Sequence, residues 1–391
     1  MSLVNMRDML NHAYENGYAV GAFDLVSLDF LEGIMDAAEH CDAPVILSLA
    51  ESHFTYFDFE LIMSAVVAAA KRATIPVAIH LDHGESFESA VQGINLGCNG
   101  IMIDSSQQTL TENINLTRRI VEMAHSCGVP VEGELGYVPG VEGEDAERHP
   151  GEIADTTVAE AKVYLEQTNV DFLAVSIGTV HGRMQGKAKL DYLRLQQIND
   201  ALGIPLVIHG GTGLSDEQYQ QLINCGVSKI NYYTSLADVA GLRIRENTQS
   251  NPLNGYTGLA DGVKETISTE VERCIKLWGS AEHAKGVLAK SKVWSPVEHL
   301  IIYNVHGITK DETLAMIEEG KTILSTIPGV LEIVTGHSIQ DDDSYRYTWL
   351  IRFCHQAVIE SYRNHHLHVA FADTLFRPVA GERISIDYQI H

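Results

Sequence analysis

Short β-branched and apolar runs alternate with amphipathic stretches of roughly ten to fifteen residues, and this alternation constrains the fold of the chain more than any other feature. The runs predict eight strands, over Ala19–Phe23, Val45–Leu49, Val77–Leu81, Gly100–Ile103, Val131–Glu134, Phe172–Val175, Leu206–Ile208 and Lys229–Asn231. Between them, DFLEGIMDAAEHC, FELIMSAVVAAAKRA and TENINLTRRIVEMAHSCG carry apolar residues at helical spacing, with Gly or Cys-Gly near their ends. Repeated βα units in this number predict an α/β fold, a closed (β/α)8 TIM barrel. Functional residues of such a barrel belong at the C-terminal ends of its strands.

At 391 residues the chain is too long for one average domain, so a large domain and a smaller one are expected. Its 27 Lys and Arg stand against 52 Asp and Glu, and a net charge of −25 argues against nucleic acid and anionic membrane surfaces as partners. No apolar stretch approaches the ~20 residues that span a bilayer. The opening MSLVNMRDMLNHAYENG lacks the features of a secretory signal and reads as a short helix ending near Gly17. The expected compartment is the cytoplasm. Cys41, Cys98, Cys127, Cys225, Cys274 and Cys354 show no CxxC spacing and read as reduced packing residues.

The predicted strand ends are polar. The third ends in His80-Leu81-Asp82-His83 and the fifth in Glu132-Gly133-Glu134; the sixth leads into GTVHG with His181, the seventh ends at His209-Gly210-Gly211, and the eighth at Asn231. A lone histidine is ordinarily a packed, hydrogen-bonded side chain. Three of them at one end of one barrel match the ligand set of a catalytic zinc with an open coordination position.

Over about the first 285 residues the chain resembles the class II, metal-dependent fructose-bisphosphate and tagatose-bisphosphate aldolases, through "HLDHGES", "VEGELGYVPGVEGE", "AVSIGTVHG", "IHGGTGLSDE" and "KINYYTSL". The resemblance implies one catalytic Zn²⁺ per chain on His83, His181 and His209, with a monovalent cation as a further cofactor to look for. It implies Asp82 as the acid/base at the aldehyde oxygen and Glu142, on a mobile loop, as the group exchanging the donor proton. Glu134 matches a glutamate near the metal, and a role in hydrogen bonding a ligand histidine stands equally open. A metal on a ketone oxygen offsets the charge left when the neighbouring proton is removed, so no Schiff-base lysine is required.

Gly182, the run Gly210-Gly211-Thr212-Gly213, Asn231 and Thr234 follow strands six to eight, where barrel enzymes commonly hold phosphate. Glycines there let backbone N–H groups approach the oxygens. The resemblance assigns these residues to dihydroxyacetone phosphate, making a phosphorylated sugar or triose the expected substrate. The chain departs from the family pattern at Asp24, Ala50, Pro139 and Gln185, where Asn, Ser, Gly or Met, and Lys are usual, and it reads NPLNGYTGLADG where an arginine is expected. These departures fall on the acceptor half of the substrate and on the Glu142 loop. They predict altered acceptor specificity.

The βα rhythm stops after the barrel. The boundaries read from the sequence are 1–284 for the barrel, 285–296 for a linker closed by Pro296, and 297–391 for a ferredoxin-like α+β module. That module resembles the stress-responsive dimeric α/β-barrel (Dabb) domains through "EHLIIYNV", "IPGVLEIVTGHS", "YRYTWLIRF", "YRNHHLH" and "ISIDY". The resemblance implies a homodimer or higher homo-oligomer. His365, His366 and His368 suggest a second metal, but pocket or surface histidines are the stronger reading. Two other functions compete: a metal-dependent hydrolase, which would want an HxH pair where the first strand ends in GAFDLVS, and a ligand sensor acting through the second module.

Overall fold

The computed structural model describes residues 2–136, 138, 140, 145–146, 156–184, 189–340 and 342–389, with the backbone alone for 145, 146 and 184. Strands β1 (Val20–Asp24), β2 (Val45–Ala50), β3 (Val77–Gly84), β4 (Gly100–Ile103), β5 (Val131–Leu135), β6 (Phe172–Val175), β7 (Leu206–Ile208) and β8 (Val227–Tyr232) form a closed parallel barrel. Each is paired to its neighbours in chain order, and β8 closes on β1. The predicted strands differ from these by at most a few terminal residues, as expected where helix and strand ends are set by context.

Strand residues alternate between two apolar environments. Val20, Ala22, Ile46, Ala78, Phe172 and Val207 pack inside the barrel, while Phe23, Leu47, Ile79, Leu81 and Leu173 pack against the outer helices. The helix Met6–Asn16, begun by the Asn5 side chain and ended by left-handed Gly17, closes the bottom of the barrel with Met6, Met9, Leu10 and Ala13. Burying such side chains contributes about 1.5–3 kcal/mol each. Moving up each strand, the inward positions change from apolar to polar: Ala78, His80, Asp82 on β3; Glu132, Glu134 on β5; Lys229, Asn231 on β8.

The first half of the expected linker belongs to a helix, Ala284–Lys290, that begins on the last barrel residue; the chain after it crosses the barrel floor, where the Lys292 N–H donates to Asp8 and Val4 bridges to Val293. Strands β9 (Val297–Val305), β10 (Val330–His337), β11 (Tyr347–Phe353) and β12 (Ala380–Gln389) then form an antiparallel sheet ordered β10-β11-β9-β12. Helices Lys310–Leu324, Val358–Asn364 and His366–Phe371 cover one face of it. This is the ferredoxin-like module expected. It docks at the end of the barrel away from the polar strand ends: Asn95 Nδ2 donates to the carbonyls of Ser325 and Ile327, its Oδ1 accepts from the Gly329 N–H, and Trp294 stacks on His355. No helix among the described residues is long and apolar enough to cross a membrane.

Candidate active site at the barrel mouth

The mouth begins with an irregularity in β3. Leu81 pairs with Ile101 and Gly84 with Ile103, so Asp82 and His83 together face Met102. This is a bulge. Strict alternation would send Asp82 inward and His83 outward, but His83 has a left-handed backbone (φ 46°) that re-aims its ring, and both side chains serve the mouth. His209 is the first residue after β7, and His181 lies in the loop after β6.

The three imidazoles converge. Donor atoms of His83, His181 and His209 lie within 4.8 Å of one another. On each ring the remaining nitrogen is anchored: His83 Nδ1 donates to Asp104 Oδ2 (2.9 Å), His181 Nδ1 to the Val138 carbonyl (3.1 Å) and His209 Nε2 to Glu132 Oε1 (2.9 Å). These bonds set the tautomers, leaving lone pairs on His83 Nε2, His181 Nε2 and His209 Nδ1. His83 Nε2 and His209 Nδ1 face each other at 3.0 Å, and buried His181 Nε2 has no hydrogen-bond partner. Facing lone pairs at that distance need a cation between them. Asp82, Asp104, Glu132 and Glu134 crowd the same space with Lys229 as their buried ammonium, so the donor set fits a metal ion in charge as well as in direction.

The local electrostatics agree. Burial, then His83 and His209, push His181 down to about 3, and burial lowers His209. Both are therefore neutral, as ligands must be. Burial opposes a charge on His83, yet Asp82 and the hydrogen bond that the ring donates to Asp104 outweigh it and raise that ring well above its usual value. Burial and the Asp104 carboxylate raise Glu134.

Asp82 is fully buried. Its Oδ1 accepts from Asn231 Nδ2 (2.9 Å), and its Oδ2 lies 3.9 Å from His83 Nε2 with no hydrogen-bond partner. Burial opposes its ionisation, but His83 and Lys229 hold it below the usual carboxylate range. A charged carboxylate with one anchored and one open oxygen beside a metal-binding triad can exchange a proton with a bound molecule. Glu134 Oε2 is 3.4 Å from His209 Nδ1, on the metal side of that ring, and Glu134 also joins His83 and Asp104 in a second possible ligand set. The hydrogen bond to a ligand histidine left open for Glu134 is made instead by Glu132.

Gly182 and Gly210 both have left-handed backbones, at φ 81° and 69°. A Cβ on Gly210 would lie 2.2 Å from the Val180 carbonyl oxygen, so only glycine allows the loops after β6 and β7 to pack this closely. Gly211 is held by the Tyr219 hydroxyl, which donates to its carbonyl at 2.5 Å, and Thr212 follows in the same turn. Thr234 opens the helix Thr234–Ser250 straight after β8, at the positive end of its dipole. Asn231, at the end of β8, has its carboxamide engaged by Lys229 (2.6 Å) and Asp82 (2.9 Å). Arg183 forks onto Asp238, its Nε 2.8 Å from Oδ2. Glu142, Pro139 and Gln185 lie outside the described residues.

Several residues at the mouth went without a role in the sequence reading. His80, Glu132 and Lys229 lie one layer below the site, with Lys229 Nζ 2.8 Å from Glu132 Oε2 and His80 Nε2 3.8 Å from the same oxygen. Their signal was present as spacing: HxD, ExE and KxN each put two polar side chains on the same face of a strand. Asp104, directly after β4, and His53, its ring tilted 45° against that of Tyr233 with centroids 4.3 Å apart and pushed down to about 4 by burial, gave no such signal.

Residues 4–283 match the family model of class II fructose-bisphosphate aldolase, and residues 297–390 match the stress responsive A/B barrel domain. The chain belongs to the class II fructose-bisphosphate aldolase family. It is thereby an aldolase, a carbon–carbon lyase, carrying a C-terminal Dabb domain. The aldolase is 41% identical over 264 residues to a fructose-bisphosphate aldolase of Geobacillus stearothermophilus, covering 64% of this chain and 88% of the relative. A fructose-bisphosphate aldolase of Staphylococcus epidermidis is 37% identical over 302 residues, 73% of this chain and 100% of its own length. Among solved structures, the YdjI aldolase of Escherichia coli K12 superimposes with a TM-score of 0.65 at 32% identity, covering 72% of this chain and 99% of that one. Members of the family are generally zinc-dependent.

Proposed function

We propose that the chain cleaves a phosphorylated ketose reversibly to dihydroxyacetone phosphate and an aldehyde, using one Zn²⁺ per chain held by His83, His181 and His209. The observation that carries this reading is the convergence of three anchored imidazoles, lone pairs inward, beside the open oxygen of Asp82. Zinc, when bound, would draw electron density from the substrate carbonyl and offset the charge that develops there. Asp82 takes the proton from the hydroxyl beside the breaking bond and returns it in condensation, with Asn231 holding its other oxygen in place. Glu142 is assigned the donor proton, and Glu134 the position of an additional metal ligand. Gly182, Gly210, Gly211, Thr212 and Thr234 are assigned the donor phosphate, with a monovalent cation beside it, and Asn231 the orientation of Asp82 and of the donor.

The acceptor aldehyde in this reading lacks a terminal phosphate. Ala50, which offers no hydroxyl, pairs in register with Asp82, and buried Asp24 ends the neighbouring strand. Of the cations that could replace the missing arginine, Arg183, Lys187 or an arginine from a neighbouring subunit, Arg183 is paired with Asp238 and Lys187 lies outside the described residues. A doubly charged phosphate would meet carboxylates without a bidentate partner. Steady-state kinetics test this: kcat/KM for fructose 1,6-bisphosphate or tagatose 1,6-bisphosphate is expected below ~10⁴ M⁻¹s⁻¹, and a value at or above it leaves ordinary bisphosphate cleavage as the activity.

We divide the chain into a barrel (1–284), a partly helical connector (285–296) and the second domain (297–391), and assign homo-oligomer formation to that domain's open sheet face. Cross-strand register places Leu300 beside Ile386 and Ile302 beside Ile384 there, and Val334, Ile384, Ile386 and Tyr388 are exposed. Free thiols throughout suit a reducing compartment, which we take to be the cytoplasm.

A further inference from the structure

The segments after β2 and β8 meet above the end of β1, and His53 is the residue that joins them. The barrel order places β1 between β8 and β2. His53 belongs to the short 3₁₀ helix Glu51–Thr55 that follows β2, and Tyr233 is the first residue after β8. Their ring centroids lie 4.3 Å apart, so the contact spans the strand between them. Phe30, in the first turn of the helix after β1, sits 6.3 Å from the Tyr233 ring and backs it from the third segment.

The 3₁₀ helix is fixed in place. Glu51 accepts from the Glu85 N–H at 2.8 Å with one carboxylate oxygen and from the Ser89 hydroxyl at 2.7 Å with the other, which ties it to the segment after β3. Phe54 stacks on Phe59 with centroids 3.9 Å apart. His53 is only 4% exposed, on the inner side of the mouth, near enough to Asp82 and His83 for their charges to act on it in opposite senses. Burial keeps its imidazole neutral. It is a fixed polar wall beside the reacting groups, not a proton carrier.

Below this wall the strand ends are polar and small. Ala22 packs inside the barrel, so Asp24, the next residue of β1 on the same face, is directed inward as well. Asp24 pairs in register with Ser48, and Ala50 with Asp82. The β1 side of the mouth therefore has Asp24 as its floor, Ala50 and Asp82 along its side, and His53 with Tyr233 as its roof. A roof across one strand shortens the space for the part of a substrate that lies beneath it. A hydroxyl set between a carboxyl group and a neutral imidazole can donate to one and accept from the other.

We propose that His53 is a specificity-determining residue of the aldol reaction: with Tyr233 it closes the β1 side of the mouth and restricts the acceptor to a short, uncharged hydroxyaldehyde whose hydroxyl lies between Asp24 and the imidazole. This rests on the aldolase reading above, in which the acceptor carries no phosphate, and narrows it to a substrate class. Truncating the imidazole opens the roof to a longer polyhydroxy aldehyde.

Condensation of dihydroxyacetone phosphate with a set of aldehydes by the full-length enzyme tests the proposal. Glycolaldehyde and glyceraldehyde should each exceed erythrose in kcat/KM by at least about tenfold, and glycolaldehyde should exceed propanal, which fills similar space without a hydroxyl, by a similar factor. His53→Ala should lower the glyceraldehyde-to-erythrose ratio by about tenfold, whereas His53→Gln, which keeps most of the bulk and polarity, should retain the native ratio. Each ratio is taken within one protein, so a loss of metal or of folded enzyme cancels. Tyr233→Ala removes the other half of the roof, should shift the ratio in the same direction, and carries the test if His53→Ala does not fold. Native enzyme that uses erythrose as well as glyceraldehyde, or propanal as well as glycolaldehyde, overturns the proposal; so does an unchanged ratio in the alanine variants, or a shift in His53→Gln as large as in His53→Ala. Exchange of dihydroxyacetone phosphate protons with solvent deuterium by the native enzyme separates the two levels: exchange without the expected acceptor pattern overturns the roof alone, and absence of both exchange and condensation overturns the aldolase reading with it.

Discussion

The barrel sheet and the sheet of the second domain treat polar side chains in opposite ways. In β1 to β8 every residue but half-buried His83 is buried, and the polar ones near the mouth are tied to one another across strands, from Asp82 to Asn231 to Lys229 to Glu132 to His209. In β9 to β12 burial alternates or is lost, and the polar residues face a cavity or solvent, several without partners. Closure explains the difference. A closed sheet removes water from both faces, so each inward polar group must find a protein partner, and the result is a rigid constellation suited to metal and proton chemistry. An open sheet leaves one face and one edge free for association.

The sharpest way to break this comparison is to remove one member of the rigid constellation. His209→Ala should lose both the metal and all measurable aldol cleavage, and a chelator should do the same to the native protein. Metal analysis paired with a cleavage assay checks this, and full activity in metal-stripped protein would falsify the zinc reading. Lys229→Met should act next most strongly. It leaves Glu132 buried without its ammonium and should lower stability by roughly 3–5 kcal/mol, the cost of breaking a buried ion pair. Denaturant unfolding measures it; a loss below about 1 kcal/mol would mean that the polar layer is not interdependent. Asp82→Ala should keep its zinc while cleavage falls ~10²-fold or more. Donor proton exchange should survive better in Asp82→Ala than in Glu142→Ala, and equal loss in both would contradict the division of roles. The smallest effect on chemistry is expected at the open sheet. Ile302→Glu with Ile386→Glu should shift the native oligomer to a smaller species in sedimentation while turnover stays within about twofold, since surface changes outside the site leave the barrel intact. An unchanged oligomer would move the interface elsewhere.

Much of the fold was legible because it is written at short range. Eight apolar runs at βα spacing made the barrel readable, and the helix at Met6–Asn16 announced itself through its Asn5 start and Gly17 stop. The second module's order of strands and helices could be followed in the same way. The helix at Ala284–Lys290 was read as linker because its seven residues make too short a pattern to show a periodicity. In the mouth, His181 and His209 were legible as histidines at strand ends. Asp104 was not, since one aspartate after a strand resembles any turn residue, and its role exists only through His83.

By itself, then, the amino-acid order determined which residues are apolar at period 2 or 3.6, hence the elements, and which polar residues crowd the C-terminal ends of the strands. Backbone geometry converts those patterns into faces without help from the rest of the chain. The tertiary structure decided the partners. The β3 bulge turned His83 toward the mouth against strict alternation; the stagger of the closed barrel set Lys229 against Glu132, Asn231 against Asp82 and Glu132, rather than Glu134, behind His209. Register between strands far apart in sequence is a property of the closed sheet as a whole, fixed when all eight strands pack and their polar groups must be satisfied together.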